Sequence, residues 1–187
     1  VGYKFFYKDG RISKMNEWHK NRTNWYNIEY QLIHKAQFEY VITSNFYSWE
    51  SHFILNEKGL LEKKYRTDDN DFDIYEHDSC GNNIRSSSFY YKDLTNPHKL
   101  YESSFSSVYN PFYIFPLEFQ LLYFQKIENP LMEKSGELLY WDCGDYITGE
   151  SFIEYQTMEN FPVQLNSKLI DRNGNEIYNL KVDYEYD

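Results

Sequence analysis

The residues best suited to metal chemistry form a short acidic run, Asp68-Asp69-Asn70-Asp71-Phe72-Asp73. Asp69, Asp71 and Asp73 have the alternating spacing that begins an EF-hand loop, and hard cations prefer several carboxylate oxygens. Such a loop also needs a glycine where Ile74 stands and a bidentate glutamate where Cys80 stands. On a strand, the three carboxylates would instead line one solvent-facing side. The three aspartates are therefore weak metal candidates, and we expect little or no calcium binding.

A second group, His77-Asp78-Ser79-Cys80, combines residue types that serve in nucleophilic catalysis. A thiol is activated when an imidazole lies within hydrogen-bond reach. Neighbouring residues on a strand point to opposite faces, so this spacing does not by itself bring Cys80 to His77. The sequence also lacks a phosphate-binding glycine loop, a nucleophile elbow and a dinucleotide fingerprint. We therefore predict no catalytic residues, no enzymatic activity and no cofactor.

The histidines and cysteines show no metal-ligand spacing. The five histidines are His19, His34, His52, His77 and His98. None is paired in a pattern such as H-x-x-x-H, so a zinc site would need residues that only the fold brings together. We expect surface or packing roles for all five. Cys80 and Cys143 allow one disulfide or two separate thiols, depending on the compartment.

The composition of the chain indicates strands. Its 187 residues include one alanine, Ala36, against 20 tyrosines and 14 phenylalanines. Alanine is the best helix former, whereas aromatic residues are enriched on half-buried strand surfaces. The formal net charge of −10 disfavours nucleic acid, because phosphate binding needs a basic face. No apolar run approaches the roughly 18 residues of a membrane-spanning helix, so we expect no transmembrane segment.

Alternating apolar and polar residues predict several strands joined by tight turns. The apolar rows are Tyr3-Phe5-Tyr7, Phe38-Tyr40-Ile42 and Leu180-Val182-Tyr184-Tyr186. Hairpin tips are predicted at Gly10, at Gly59 and in two segments that share the pattern Asp-x-x-Gly-Asn-x-Ile. In those segments the carboxylates of Asp78 and Asp171 cap turn amides, while Gly81 and Gly174 take the left-handed conformation.

The middle of the chain has a different composition. Residues 93–111 are rich in Ser, Asn and Pro and predict a long loop. Pro116 suits the first turn of a short helix through Leu117, Leu121 and Leu122, although a buried strand over residues 119–124 is an alternative. We expect a single domain over residues 1–187, with at most one short helix near 116–125. A division into two domains near the 93–111 loop is the alternative.

The hairpin tips and their flanking strands resemble the YD-type hairpin units of secreted Bacteroidota proteins. The resemblance covers residues 50–187 and rests on Tyr75-Glu76-His77-Asp78…Gly81-Asn82, Asp171…Gly174-Asn175 and Tyr184-Glu185-Tyr186-Asp187. The order Asn110-Pro111-Phe112, Glu128-Asn129-Pro130 and Tyr155…Glu159-Asn160-Phe161-Pro162 is similar to that of uncharacterised outer-membrane-type lipoproteins. His77 stands where that family usually has tyrosine, and Cys80 where it has a small polar residue. The resemblance implies a large, curved antiparallel sheet like an open or half barrel, and no enzymatic activity.

Aromatic residues make up 20% of the chain. Runs such as Phe89-Tyr90-Tyr91 and Tyr140-Trp141 place aromatic side chains on both faces of a strand, so some of them must be exposed. Exposed Tyr and Trp would bind a protein or a glycan, and the alternative is that tyrosines simply line both sides of the sheet. We expect a non-catalytic binding or structural module of the periplasm or cell surface, made as a lipid-anchored precursor. The alternatives are a cytoplasmic, acidic immunity-type protein that neutralises a toxin, and a carbohydrate-active hydrolase.

Overall fold

A computed structural model describes residues 2–20, 25–124, 126–142, 145–159, 161–171 and 174–185. These residues form thirteen strands. Their bounds are β1 Gly2–Lys8, β2 Arg11–Lys20, β3 Trp25–Ala36, β4 Glu39–Ser44, β5 Ser51–Leu55, β6 Leu61–Arg66, β7 Asp71–His77, β8 Asn83–Tyr90, β9 Lys99–Tyr109, β10 Leu131–Asp142, β11 Asp145–Met158, β12 Phe161–Asp171 and β13 Glu176–Asp183. A 3₁₀ turn (Pro111–Ile114), an α-helical turn (α1, Leu117–Phe119) and a π-helical turn (Gln120–Phe124) lie between β9 and β10.

The strands follow one another in sequence order within one antiparallel sheet, so the chain is all-β and built from successive hairpins, as the sequence predicts. The α- and π-helical residues that the structure describes are 117–124, within the predicted helical region. This result excludes the alternative of a strand over residues 119–124.

The prediction of a long loop at 93–111 is wrong. Most of that segment is strand β9, Lys99–Tyr109, which pairs with β8 on one side and with β10 on the other. Ser and Asn weaken strand propensity, but backbone hydrogen bonds to two neighbouring strands override that preference. The connection that remains between β8 and β9 covers residues 91–98.

The chain divides into two compact units. The N-terminal unit comprises Val1–Phe72 and Phe115–Ile127, and the C-terminal unit comprises Asp73–Ile114 and Glu128–Asp187. The main boundary therefore falls within β7, after Phe72, and not in the 93–111 segment where the sequence placed an alternative division. Whether the chain behaves as a single domain stays a prediction.

In the N-terminal unit, the helical turns pack on the face of β1 and β2. The ring centroids of Phe5 and Phe119 lie 4.9 Å apart. Leu121 and Leu122 of the π-helical turn are buried. Phe53 and Ile42 are fully buried on the same sheet. The helical turns thus cover apolar side chains on this face of the sheet, which would otherwise be exposed to water.

One cluster of buried apolar side chains lies in the described part of the C-terminal unit. It contains Val108, Met132 and Leu165, and the side chains packed against it are Ile153, Tyr155, Val182 and Tyr184. Tyr155 Oη donates a hydrogen bond of 2.6 Å to the carbonyl of Glu133, which satisfies the hydroxyl of this partly buried ring. Val182 and Tyr184 thus face inward as the alternation predicts, whereas Leu180 of the same row is exposed and Tyr186 lies outside the described residues.

Three hairpin tips share one hydrogen-bond pattern, at residues 56–60, 78–82 and 171–175. In each, the Oδ1 atom of the first residue accepts from the amide of the fifth, at 3.1, 2.9 and 2.8 Å, respectively. The glycine at the fourth position donates to the carbonyl of the first and has a φ of +78°, +88° or +81°. Gly10 closes a shorter turn with a φ of +77°. The left-handed conformation explains why each tip contains glycine.

Alanine at Gly81 or Gly174 should lower the free energy of unfolding by about 1 kcal/mol or more, because L-residues are strained at positive φ. At Gly174 no atom lies within 4 Å of an added Cβ, so the cost there is backbone strain alone. Gly2→Ala is the matched control, since its added Cβ also meets no atom within 4 Å and its φ is not positive. Chemical denaturation measures all three variants, and wild-type stability of both Gly81→Ala and Gly174→Ala would contradict the turn assignment.

Candidate functional site

Three aspartates of the acidic run, Asp68, Asp69 and Asp73, pair with neighbouring side chains. Arg66 lies 2.7 Å from Asp68 and 3.3 Å from Asp69. The hydrogen bond from Arg66 holds the pKa of the Asp68 carboxyl below its usual range. Asp73 accepts a hydrogen bond of 2.5 Å from Ser88 Oγ and one of 3.3 Å from Tyr75 Oη. Across the described parts of the chain, no group of three or more His, Cys, Asp or Glu side chains is placed to hold a metal ion.

The His77-Asp78-Ser79-Cys80 group lies at the tip between β7 and β8. Both carboxylate oxygens of Asp78 are engaged, since Oδ1 accepts from the amides of Cys80 and Asn82 and Oδ2 accepts from the Asn82 side chain, each at 2.9 Å. Burial lowers the pKa of His77, although the charge of Asp78 opposes this effect. Cys80 is exposed. Asp78 therefore caps the turn, and Cys143, with which Cys80 either forms a disulfide or remains a separate thiol, lies outside the described residues.

Four of the five histidines stack on tyrosine rings, which the sequence analysis missed. The stacked pairs are His19–Tyr26, His34–Tyr40, His52–Tyr65 and His98–Tyr90, with ring centroids 4.0–5.0 Å apart. The first three pairs face each other directly across neighbouring strands. Spacing alone does not indicate these partners, because the register shifts at bulges between His34 and Ala36 and between Ile54 and Leu55.

His52 lies between two carboxylates in the N-terminal unit. Its Nδ1 is 3.1 Å from Glu39 Oε1, and its Nε2 is 3.4 Å from Glu50 Oε2. The hydrogen bond with His52 lowers the pKa of Glu39, and the nearby Lys35 lowers it further. Since the imidazole is buried and stacked on Tyr65, this group holds β4, β5 and β6 together.

The most distinctive surface of the N-terminal unit is an aromatic platform, which we define as Tyr26, Phe46, Tyr47 and Trp49. Successive ring centroids are 6.4, 5.0 and 5.1 Å apart, so the four rings form one continuous set. Phe46 is 62% exposed, Tyr26 41% and Tyr47 39%, while Trp49 is partly buried. Tyr26 belongs to β3, and the other three rings come from the loop between β4 and β5.

The loop that carries three of these rings is held at both ends. At its start, Asn45 and Glu29 exchange two hydrogen bonds of 2.8 and 3.0 Å, and Ser44 Oγ accepts from the amides of Phe46 and Tyr47. At its end, Glu50 donates its amide to Thr67 Oγ1 at 2.9 Å and accepts from the Thr67 amide at 3.0 Å. The rings are therefore positioned before any ligand arrives, which reduces the entropic cost of binding.

Charged and polar groups border the platform. The guanidinium of Arg66 lies 4.7 Å from the ring of Trp49 and donates to Asp68, while His19 stacks on Tyr26 and lies 2.9 Å from Glu17. Stacked aromatic faces next to paired donors and acceptors are suited to ligands that have both apolar faces and hydroxyl groups.

Sequence reasoning predicted exposed aromatics but placed them elsewhere. In the first run that the sequence analysis named, Tyr90 and Tyr91 are exposed. The side chains of the second run, Tyr140 and Trp141, are not among those that the structure describes. The signal for the platform was the loop Phe46-Tyr47-Ser48-Trp49, in which three rings fall within four residues between two strands. Aromatic residues concentrated in a loop, where no sheet face buries them, indicate a recognition role.

None of the helices in the described residues is long and apolar enough to cross a membrane.

Comparison with known proteins leaves the family open. No family of known sequences matches the chain, and no curated protein matches it. Among solved structures, a porin-like protein from Bacteroides uniformis is similar, with 13% sequence identity and a TM-score of 0.46, over 98% of this chain and 88% of that protein.

Proposed function

We propose that this chain is a non-catalytic binding module of the cell envelope and that it recognises a neutral glycan through the aromatic platform. The observation that carries the proposal is the set of four contacting rings, three of them well exposed, on a loop held by hydrogen bonds at both ends. An exposed apolar patch with a polar rim is typical of a recognition surface.

The chemistry of the platform favours a sugar over other ligands. The apolar C–H face of a pyranose ring packs on Tyr, Phe and Trp faces, while its hydroxyl groups need donors and acceptors such as Arg66 and Asp69 at the rim. The net charge of −10 repels polyanions, so the proposed glycan carries no charge. The envelope location is supported by the resemblance of the hairpin tips to YD-type units of secreted proteins.

A panel of soluble neutral and acidic oligosaccharides tests this proposal directly, with affinity electrophoresis or calorimetry as the readout. We expect saturable binding to at least one neutral glycan and no binding to its uronic-acid counterparts. Tight, stoichiometric binding to a basic protein, with no response to any neutral glycan, would overturn the proposal and favour the immunity-type alternative. Turnover of a glycan by the wild-type protein would overturn its non-catalytic part.

A further inference from the structure

The N-terminal unit contains a second feature that could hold a ligand, a cavity of about 500 Å³ between the helical turns and the sheet. This volume lies within the range of small-molecule sites, roughly 300–1,000 Å³. Its described lining is mainly aromatic and apolar, and consists of Tyr3, Tyr30, Tyr123, Phe124, Met15 and Leu122, together with the charged side chains Glu17, Lys64 and Lys126. These residues include one acid and two bases, so the cavity lining is net basic in a strongly acidic chain.

The one acid of the lining is already engaged by donors. Glu17 Oε1 accepts from Tyr3 Oη at 3.3 Å and lies 2.9 Å from His19 Nε2, and Oε2 accepts from Tyr30 Oη at 3.3 Å. Burial and the charge of Glu17 both raise the pKa of Tyr3 and of Tyr30, so both hydroxyls stay protonated as donors. Two hydroxyls of the lining thus hold the carboxylate of Glu17 in place.

The two lysines enter the cavity from different elements. Lys64 is on β6 directly opposite Phe53, and its Nζ lies 5.4 Å from the centroid of that fully buried ring. The aliphatic stem therefore runs along the inner face of the sheet. Lys126 follows the π-helical turn that closes the other side of the cavity. Lys64 and Lys126 thus both line a cavity whose other walls are largely aromatic, and this combination suits a ligand that joins an anionic group to an apolar body.

We propose that this cavity binds a small amphipathic monoanion, with its apolar body against the aromatic walls and its carboxylate at Lys64 and Lys126. This site is additional to the platform and does not depend on the proposed glycan binding. The two functions also separate experimentally, because a neutral glycan and an aromatic carboxylate are different probes.

The test uses 2-naphthoate and its uncharged counterpart 2-naphthamide, which share one apolar body and differ in charge. Calorimetry on the wild-type protein should show naphthoate binding about tenfold or more tightly, and only its affinity should fall as salt is added. Lys64→Met and Lys126→Met should each weaken naphthoate binding about fivefold or more, and leave naphthamide unchanged.

Lys63→Met is the matched control, because Lys63 precedes Lys64 on β6 and lies over the ring of Phe72, at 4.1 Å, outside the cavity lining. It should bind naphthoate as the wild type does. Equal affinity for the two probes, or no binding of naphthoate, overturns the proposal. Because the probe comparison and the salt series use the wild-type protein, they decide the question even if a lysine variant fails to fold.

Discussion

Replacing Asn82 by alanine is expected to lower the free energy of unfolding by about 2–4 kcal/mol, whereas the same change at Asn175 should cost less than about 1 kcal/mol. Both residues end an Asp-x-x-Gly-Asn tip, and both side chains donate to the first aspartate, at 2.9 and 3.0 Å, respectively. The two tips differ in their surroundings. The difference between the two variants therefore measures how much the contacts of Asn82 outside its own tip add to the free energy of unfolding.

The tip at Asn82 is tied to the start of β10 and to the residues just before it. Asn82 is only 1% exposed, and its Oδ1 accepts a hydrogen bond of 3.0 Å from the amide of Leu131. The next residue, Asn83, donates its amide to Asn129 Oδ1 at 2.6 Å. Alanine at 82 removes the partners of the Leu131 amide and of one Asp78 oxygen, and each polar group left unpaired costs about 1–3 kcal/mol. Asn175 is exposed, so water replaces its lost hydrogen bonds.

Urea or guanidinium denaturation of the two variants and the wild type measures this difference. Equal losses at the two positions would show that the buried hydrogen bond between Asn82 and Leu131 contributes nothing to stability. A larger loss at Asn175 would contradict the assignment of Asn82 as the buried member of the pair.

Trp49→Ala and Tyr47→Ala should each weaken glycan binding by about tenfold or more, because a truncated aromatic anchor typically costs more than about 1 kcal/mol and often 2. The two rings stack at an interplanar angle of 20°, so the loss of either one also removes support for the other. Their combined effect should therefore fall short of the sum of the two. Calorimetric titration with the glycan selected from the panel provides the measurement.

Tyr7→Ala is the control for these variants. Tyr7 is 69% exposed on β1 of the same unit and does not belong to the platform. Its removal should leave glycan affinity within about twofold of the wild type. If Tyr7→Ala weakens binding as much as Trp49→Ala does, the platform is not the site.

The strands and hairpin tips could be predicted from the sequence because both are local. Alternation in Tyr3-Phe5-Tyr7 and an Asp or Asn followed by Gly three residues later specify the backbone without distant contacts. Strand β9 was missed for the opposite reason, since its Ser-rich segment is held by pairing with strands on both sides.

The platform and the cavity depend on contacts between distant parts of the chain. The rings at 46–49 become a surface because Asn45 bonds Glu29 and Glu50 bonds Thr67, pairings that no local pattern indicates. The cavity requires Lys64 and Lys126 to meet Glu17, three residues far apart in sequence. The sequence therefore indicates a surplus of aromatic residues but does not show where in the fold they lie.

The most direct test of the platform is a nuclear magnetic resonance titration that follows aromatic ring resonances as glycan is added. We expect the largest shifts at Tyr26, Phe46, Tyr47 and the indole of Trp49, with a titration curve that matches the calorimetric affinity. Ring resonances of Tyr7 and of Tyr109 in the C-terminal unit should remain in place. Shifts centred on other rings, with those four unchanged at saturation, would contradict the proposed site.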